Sequence, residues 1–415
     1  MGIISPIGNS IEQFSIALKT GKSGISRITA FDTTDFDVKI AGEVKDFDSG
    51  LWIDKKEARK MARFTQFAVA AAAQALTGAG LMGETDAQGR KPVRCEQEKT
   101  GVVIGNGIGG FEIVGESHKK LFSDGPRRML PLTVPMMIPN EAAGNISMLF
   151  CTKGPAYTQI TACAAGTDAL GQALDLIRSG RCDVVISGGT EAVVVPFAVG
   201  GFQMLKALSV KHCDEPEKAS RPFDADRDGF VLSEGSGILI LESEEHAKER
   251  GAGILAEFAG YGASADAHHI TAPDPSGNGG AQAIKNALAD AGLRPEDIQY
   301  YNAHGTSTEM NDPAETSMIK NAFGAHAYKM KVSSTKSMTG HCIAGGGGIE
   351  AIACILAIRD GFYPPTINLD NPDPACDLDY VPNKAQYGEI TVAASGSLGF
   401  GGHNGVVIFR KYNGV

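Results

Sequence analysis

Apolar and small residues recur at helical spacing over residues 68–79 and again over residues 281–291. Both runs end on glycine, in Ala75-Leu76-Thr77-Gly78-Ala79-Gly80-Leu81 and Ala287-Leu288-Ala289-Asp290-Ala291-Gly292-Leu293, where a helix C-terminus favours it. An apolar strand follows each, at 101–104 and 298–301, and runs into a tight turn at 105–110 and 303–305. The order repeats further on. A strand at 157–160 leads through Cys163 into a helix closing at Arg178-Ser179-Gly180. A strand at 331–333 leads through Lys336 and His341 into one closing at Arg359-Asp360-Gly361, and strands at 184–186 and 391–393 come next. Near-continuous apolar strands alternating with helices predict sheets covered on both faces. The chain therefore reads as two related α/β halves, 1–250 carrying Cys163 and 251–415 carrying His304, Lys336 and His341, with these residues at equivalent strand ends where open α/β sheets bind ligands.

The repeat is uneven at one point. The second half opens with a strand at 254–261, whereas the first begins at Met1-Gly2-Ile3-Ile4-Ser5-Pro6, so a first strand is expected to be missing. Residues 221–234 form a Gly/Asp-rich connection, 237–241 a strand and 242–251 a charged helix. No low-complexity linker separates the halves, which predicts a shared core.

Composition narrows the class. The 415 residues carry 38 Lys+Arg against 48 Asp+Glu, a net charge of -10, which disfavours a nucleic-acid partner. Glycine, at 52 residues, is nearly double its usual share of about 7%; close backbone contacts are expected. No run of about 18 apolar residues and no basic-then-apolar leader opens the chain, so a cytoplasmic protein that does not enter the membrane is expected. The 8 cysteines form no C-x-x-C pair and no metal-ligand rhythm with the 9 histidines; they read as free thiols in a reducing compartment, with no metal site.

Three segments can carry chemistry. Thr161-Ala162-Cys163-Ala164-Ala165-Gly166 sets a thiol where a strand turns into a helix. A free cysteine is usually a small buried hydrophobe, but at a helix start the N–H groups and positive dipole end are expected to lower its pKa and make it a nucleophile. Cys342, beside His341, is the closest rival. Asn302-Ala303-His304-Gly305-Thr306-Ser307-Thr308 ends a strand on a histidine followed by three hydroxyls. Ser333-Ser334-Thr335-Lys336-Ser337-Met338-Thr339-Gly340-His341 adds a lysine which, if buried, needs a carboxylate; Asp312 or Glu315 can supply it. Gly105-Asn106-Gly107-Ile108-Gly109-Gly110 lacks the dinucleotide-binding spacing, and Gly345 to Gly348 read as close packing despite a cost of about 1 kcal/mol each in a helix. The basic group Lys55, Lys56, Arg59, Lys60, Arg63 and Lys206 is an ordinary solvated face or a dock for an anionic partner.

Together with Gly399-Phe400-Gly401-Gly402, these motifs resemble the β-ketoacyl-acyl-carrier-protein synthases over nearly the whole chain, closest to the type II condensing enzymes of fatty-acid synthesis. Gly188-Gly189-Thr190-Glu191-Ala192 and Pro364-Pro365-Thr366-Ile367-Asn368-Leu369 add to the likeness. The resemblance implies a thiolase-like fold, two α/β halves in five αβαβα layers, usually a homodimer without a required cofactor, with acyl carrier protein as partner. It implies Cys163 as acyl acceptor, the backbone N–H groups of Cys163 and Phe400 as oxyanion hole, His304 and His341 acting on malonyl-carrier protein, and Lys336, supported by Glu315 or Asp312, holding charge balance. Thr306 and Thr308 match pantetheine-binding positions, Ile108 and Phe202 match acyl-pocket positions, and Phe400 resembles a gate. His341 separates the chain from a branch that condenses from acetyl-CoA and carries Asn there, and Cys163 from chain-length factors lacking the nucleophile. Three departures stand out: the first strand, Glu309 where the family has Pro, and the unbroken glycine run. Rival readings are a type I synthase or polyketide ketosynthase with the same residues, a silent carrier-binding subunit, and a Cys-His hydrolase.

Overall fold

The computed structural model describes residues 1–414. Its principal elements are β1 (Gly2–Ile4), α1 (Arg63–Gly78), β2 (Thr100–Gly105), β3 (Ala156–Gln159), α2 (Ala165–Arg178), β4 (Val184–Glu191), β5 (Gly235–Glu242), β6 (Glu257–Ala265), α3 (Asn278–Ala291), β7 (Tyr300–Asn302), α4 (Asn311–Phe323), β8 (Lys331–Ser333), α5 (Gly345–Asp360), β9 (Val392–Gly399) and β10 (His403–Arg410). One five-stranded sheet has the order β1-β5-β4-β2-β3 and the other β8-β7-β9-β10-β6. Both are mixed in the same way. β2 runs parallel to β3 and β4 while β5 is antiparallel to β4 and β1; β7 runs parallel to β8 and β9 while β10 is antiparallel to β9 and β6. Read from β1 and from β6, the two halves connect their strands in one order, as the sequence repeat predicts.

Burial explains the layers. α2 and α5 lie between the sheets and pack on both, while α1 covers the outer face of the first sheet and α3, joined by α4, that of the second. One apolar core runs through the middle layer, from Val103 and Leu170 to Ile352, Ala393 and Phe409. Two others fill the outer interfaces. This is the αβαβα arrangement that the resemblance implied.

The first sheet is not short of a strand. Gly2, Ile3 and Ile4 pair with Ile238, Gly237 and Ser236 of β5, and the alternation of a strand sends Ile3 into the middle core and Ile4 into the outer one. Three residues are too few for a pattern to reveal, and they take the edge that β6 fills in the second sheet from Glu257 to Ala265. β10, whose apolar run follows directly on the glycine-rich loop at 399–402, is a strand that the local pattern does not announce. β6 begins at Glu257 rather than residue 254.

The glycine run at the start of α5 is a packing device. From Gly345 to Ile358 every residue is buried. A Cβ on Gly347 would lie 2.3 Å from the Thr167 nitrogen, one on Gly348 2.0 Å from the Gly237 oxygen, and one on Gly166, in α2, 2.4 Å from the Ala344 oxygen. Helix propensity, at about 1 kcal/mol per glycine, is overruled by the need for the helix to touch α2 and β5 through backbone alone. Gly346 has no such neighbour, its nearest contact being Glu350 Oε1 at 3.9 Å. Gly348→Ala is therefore expected to lower stability by about 3 kcal/mol or more through overpacking, whereas Gly346→Ala should be neutral or gain up to about 1 kcal/mol. Denaturant midpoints of the two variants check this, and equal effects would refute it.

Candidate active site

The middle layer brings the two chemical segments together. Thr161 and Ala162 end the approach to α2, with Ala162 at φ +51°, and Cys163 follows in a short 3₁₀ turn, Ala162–Ala164, that flows into the helix. His341 lies just ahead of α5. Because the starts of α2 and α5 touch through glycine, Cys163 Sγ comes within 3.1 Å of His341 Nε2. The His304 ring stands 5.2 Å from that of His341 at 89°, and the sulfur and one nitrogen from each ring all lie within 4.8 Å of one another. Phe230 meets the His341 ring edge-on at 5.2 Å.

Burial decides the charge states. It is the first cause pushing both imidazole pKa values well below the ordinary histidine range, and the Lys336 ammonium adds to it. Burial likewise pushes the Cys163 thiol up to about 12, against the opposing pull of Lys336 and of the Phe400 and Cys163 backbone N–H groups. The expected lowering of the thiol is thus corrected: a helix start contributes less than loss of solvent. At neutral pH the site holds a thiol and two neutral rings. Neither Nδ1 atom has a protein partner, so each Nε2 is free to accept or to donate a hydrogen bond.

Lys336 is buried and pairs with Glu350 of α5, not with Glu315 or Asp312 as the sequence suggested. Those two carboxylates serve the His304 turn. Glu315 accepts the His304 and Gly305 N–H groups at 2.6 and 2.7 Å, with burial raising its pKa to about 7. Asp312 accepts the Phe223 N–H at 2.8 Å and lies 3.8 Å from Arg227. A lone Glu within the apolar run from Ile349 to Ile358 was the missed signal, since an isolated buried carboxylate must face a cation.

A cavity of about 460 Å³ opens onto these groups. Ile108, Phe202 and Ile343 supply apolar wall, and Thr306 and Thr308, their hydroxyls 3.1 Å apart, line another part. Gly399 sits against the Cys163 turn, where a Cβ would be 2.6 Å from the Thr161 oxygen, and so carries Phe400 to the cavity. Asn404 Nδ2 donates to Asp266 Oδ1 at 2.7 Å and fastens that loop to the end of β6; neither residue was picked out from the sequence. Glu309 also lines the cavity, as does the exposed Lys206. Cys342, the rival thiol, is buried in the middle core and faces away. Of the basic group, Lys55, Lys56, Arg59 and Lys60 are exposed, but Arg63 is bound to Glu234 at 2.7 Å and lies over the Phe67 ring, which removes it from a free docking face.

Residues 1–247 match the family model for the β-ketoacyl synthase N-terminal domain and residues 255–370 that for the C-terminal domain. The chain belongs to the β-ketoacyl synthase family. Among the similar relatives of this β-ketoacyl synthase is 3-oxoacyl-[acyl-carrier-protein] synthase 2 of Synechocystis, 49% identical over 413 residues, which span 99% of this chain and 97% of that one. The Staphylococcus aureus protein of the same name is 50% identical over 414 residues, with 99% and 97% covered. Among solved structures, the ishigamide ketosynthase/chain length factor superimposes with a TM-score of 0.91 at 37% identity, over 99% of this chain and 98% of that one. A type II polyketide synthase acyl-carrier protein in complex with its ketosynthase bound to the hexaketide gives 0.90 at 34%, with the same coverage.

Two outcomes follow for this β-ketoacyl synthase. Glu350→Leu leaves the Lys336 ammonium buried without a counter-ion and should cost about 3–5 kcal/mol, most of which the Lys336→Met/Glu350→Leu pair restores; chemical denaturation of both variants checks the order. With the thiol raised to about 12, Cys163 alkylation by iodoacetamide should climb steadily between neutral pH and pH 9–10, because only the thiolate reacts. A plateau already reached near neutrality would show a thiolate–imidazolium pair instead.

Proposed function

We propose that this chain works as an elongating β-ketoacyl-acyl-carrier-protein synthase of type II fatty-acid synthesis. The carrying observation is Cys163 Sγ at 3.1 Å from His341 Nε2, with the His304 ring beside them at the same cavity. As Cys163 attacks the acyl thioester of a carrier protein, the neutral His341 Nε2 is placed to take the S–H proton and pass it to the departing pantetheine thiolate. The oxyanion of that step meets the N–H groups of Cys163 and Phe400. The acyl group is left as a thioester on Cys163 and free carrier protein departs.

The second half-reaction uses the rings in their other sense. Malonyl-carrier protein loses carbon dioxide, the electrons of the broken C–C bond form an enolate on the thioester, and His304 and His341 donate Nε2–H bonds to its oxygen. Rings held neutral by burial can do this, since their Nδ1 atoms are not committed elsewhere. The enolate carbon then attacks acyl-Cys163, the sulfur leaves and regains a proton, and a β-ketoacyl product two carbons longer is released. Lys336, neutralised by Glu350, keeps a fixed positive end near the rings that disfavours their protonation. Thr306 and Thr308 supply hydroxyls for the pantetheine arm, Ile108 and Phe202 the wall for the acyl chain, and Phe400 the moving gate.

In this reading residues 1–250 supply the nucleophile and 251–415 the His/Lys/His group and the loop of Phe400. The enzyme acts in the cytoplasm as a homodimer; among the described residues no helix is long and apolar enough to cross a membrane. The exposed Lys206 beside the cavity, with Lys55, Lys56, Arg59 and Lys60, makes the docking face for the acidic carrier protein. Polyketide elongation by the same chemistry is the second reading, favoured by the two ketosynthase structures at 37% and 34% identity, against the relatives at 49% and 50%.

Incubation with a long-chain acyl-carrier protein, followed by intact mass and peptide mapping, should place the acyl group on Cys163, and malonyl-carrier protein should then convert the adduct to a β-ketoacyl product. An adduct released only by water would point to a hydrolase, and a folded protein with no adduct to a silent carrier-binding subunit. In the same assay Lys206→Glu should raise KM for the carrier-protein substrate with little change in kcat; unchanged kinetics would remove Lys206 from the docking face.

A further inference from the structure

Glu191 is a buried carboxylate that none of these roles uses. It closes β4 with no exposed surface, at the inner side of the Cys163 turn. Its Oε2 accepts the Gly107 N–H at 2.9 Å and its Oε1 the Asn106 Nδ2–H at 3.0 Å, and the N–H groups of Ile108 and Ala344 also point to it. It thus lies between two stretches of chain: the turn after β2 that carries Ile108, which it holds by hydrogen bonds, and the segment before α5 that carries Ile343, whose Ala344 N–H is turned toward it. The fit is tight, since a Cβ on Gly107 would lie 2.8 Å from Glu191 Oε2 and 3.1 Å from Ile343 Cγ2.

The second observation is strain at the same place. Ile343 sits at φ +46° and Ala162 at φ +51°. A β-branched residue in the left-handed region is an outlier, costs on the order of 1–3 kcal/mol, and persists only when its surroundings enforce it. The surroundings that enforce it here are the Ala344 N–H, one peptide beyond Ile343, which is turned toward the Glu191 carboxylate, and the close approach of the Ile343 side chain to Gly107. Ile108 and Ile343 form the wall of the cavity next to Cys163, and they belong to an all-apolar cluster that also includes Val193, Val199 and Leu208, which do not line the cavity and into which an acyl chain could extend only if that wall gives way.

We propose that Glu191 is a positioning residue that sets acyl-chain selectivity, its carboxylate pinning the Ile108 and Ile343 backbones together so that the wall yields only at a cost to long acyl chains. This rests on the condensing-enzyme reading above. Burial raises the Glu191 pKa to about 8, and four N–H groups bind a charged carboxylate better than a neutral carboxyl. The titratable groups around it are the Cys163 thiol from the nucleophile turn and the Cys342 thiol from the segment before α5, with Lys336 charging the Cys163 side and Glu234 and Glu350 the Cys342 side. Its neighbour from the end of β2, Asn106, carries no charge. The pin therefore holds above pH 8, where Glu191 is ionised, and loosens as pH falls and the carboxyl becomes neutral.

The test is single-turnover acylation of Cys163, read by intact mass, with butanoyl- and palmitoyl-carrier proteins from pH 6.5 to 9. Titration of the thiol itself affects both substrates alike and cancels in their ratio. In the unaltered enzyme the palmitoyl/butanoyl rate ratio should rise about fivefold on going from high to low pH, the difference between a bond to a charged and to a neutral acceptor, with a midpoint near 8. Glu191→Gln should show the raised ratio at every pH, and Glu191→Asp should bring back part of the pH dependence. A ratio that is flat with pH in the unaltered enzyme overturns the proposal, and that measurement decides it even if a variant fails to fold. A pH-dependent ratio that Glu191→Gln leaves intact overturns it equally. No acylation of Cys163 by either substrate is the distinct outcome that would sink the condensing reading instead.

Discussion

The contact on which the rest of the molecule depends is the glycine-to-backbone approach of two helix starts in the middle layer. Gly166 faces the Ala344 oxygen and Gly347 the Thr167 nitrogen at separations that leave no room for a side chain. Each helix begins right after a chemical residue, Cys163 before α2 and His341 before α5, so the helix contact is also the ruler that fixes the sulfur-to-imidazole distance. A methyl group added at this contact would push the Cys163 sulfur and the His341 ring apart.

The same burial that fixes geometry sets the charges. A site so enclosed has almost no solvent to support ions, and the chain responds by holding the thiol and both rings neutral and confining charge to one pair, Lys336 with Glu350, behind them. Glu315, with its two backbone N–H donors, positions His304 from the far side without adding a free charge to the cavity. The result is a site whose thiol and imidazole groups are themselves uncharged at rest.

Much of this could be read from residue order alone, and the exceptions share a cause. The two helices ending in Gly78-Ala79-Gly80 and Ala291-Gly292, the strands after them and the positions of Cys163, His304 and His341 were legible because period and end signals are local. The partner of Lys336 was not. Asp312 and Glu315 offered themselves as carboxylates close behind the His304 motif, but the direction of α4 turns them to the backbones of Phe223, His304 and Gly305, and the pairing with Glu350 depends on how α5 packs against the Lys336 turn. Strand β1 escaped because three residues carry no period, and Arg63 was misjudged because its partner Glu234 lies on the far side of the sequence. The thiol's pKa was misread because a helix start is a local feature and burial is not.

The shared middle layer also bears on how the chain is made. α2 is complete once residue 178 has been synthesised, yet one of its faces is covered by β9, β10 and α5, which come last. At ribosomal speeds of roughly 5–20 residues per second, some 230 residues separate that helix from the end of β10, so its apolar face waits for ~10–50 s. The middle layer shared by the two matching sheets thus leaves the first half with an uncovered apolar helix face until the second half has been made.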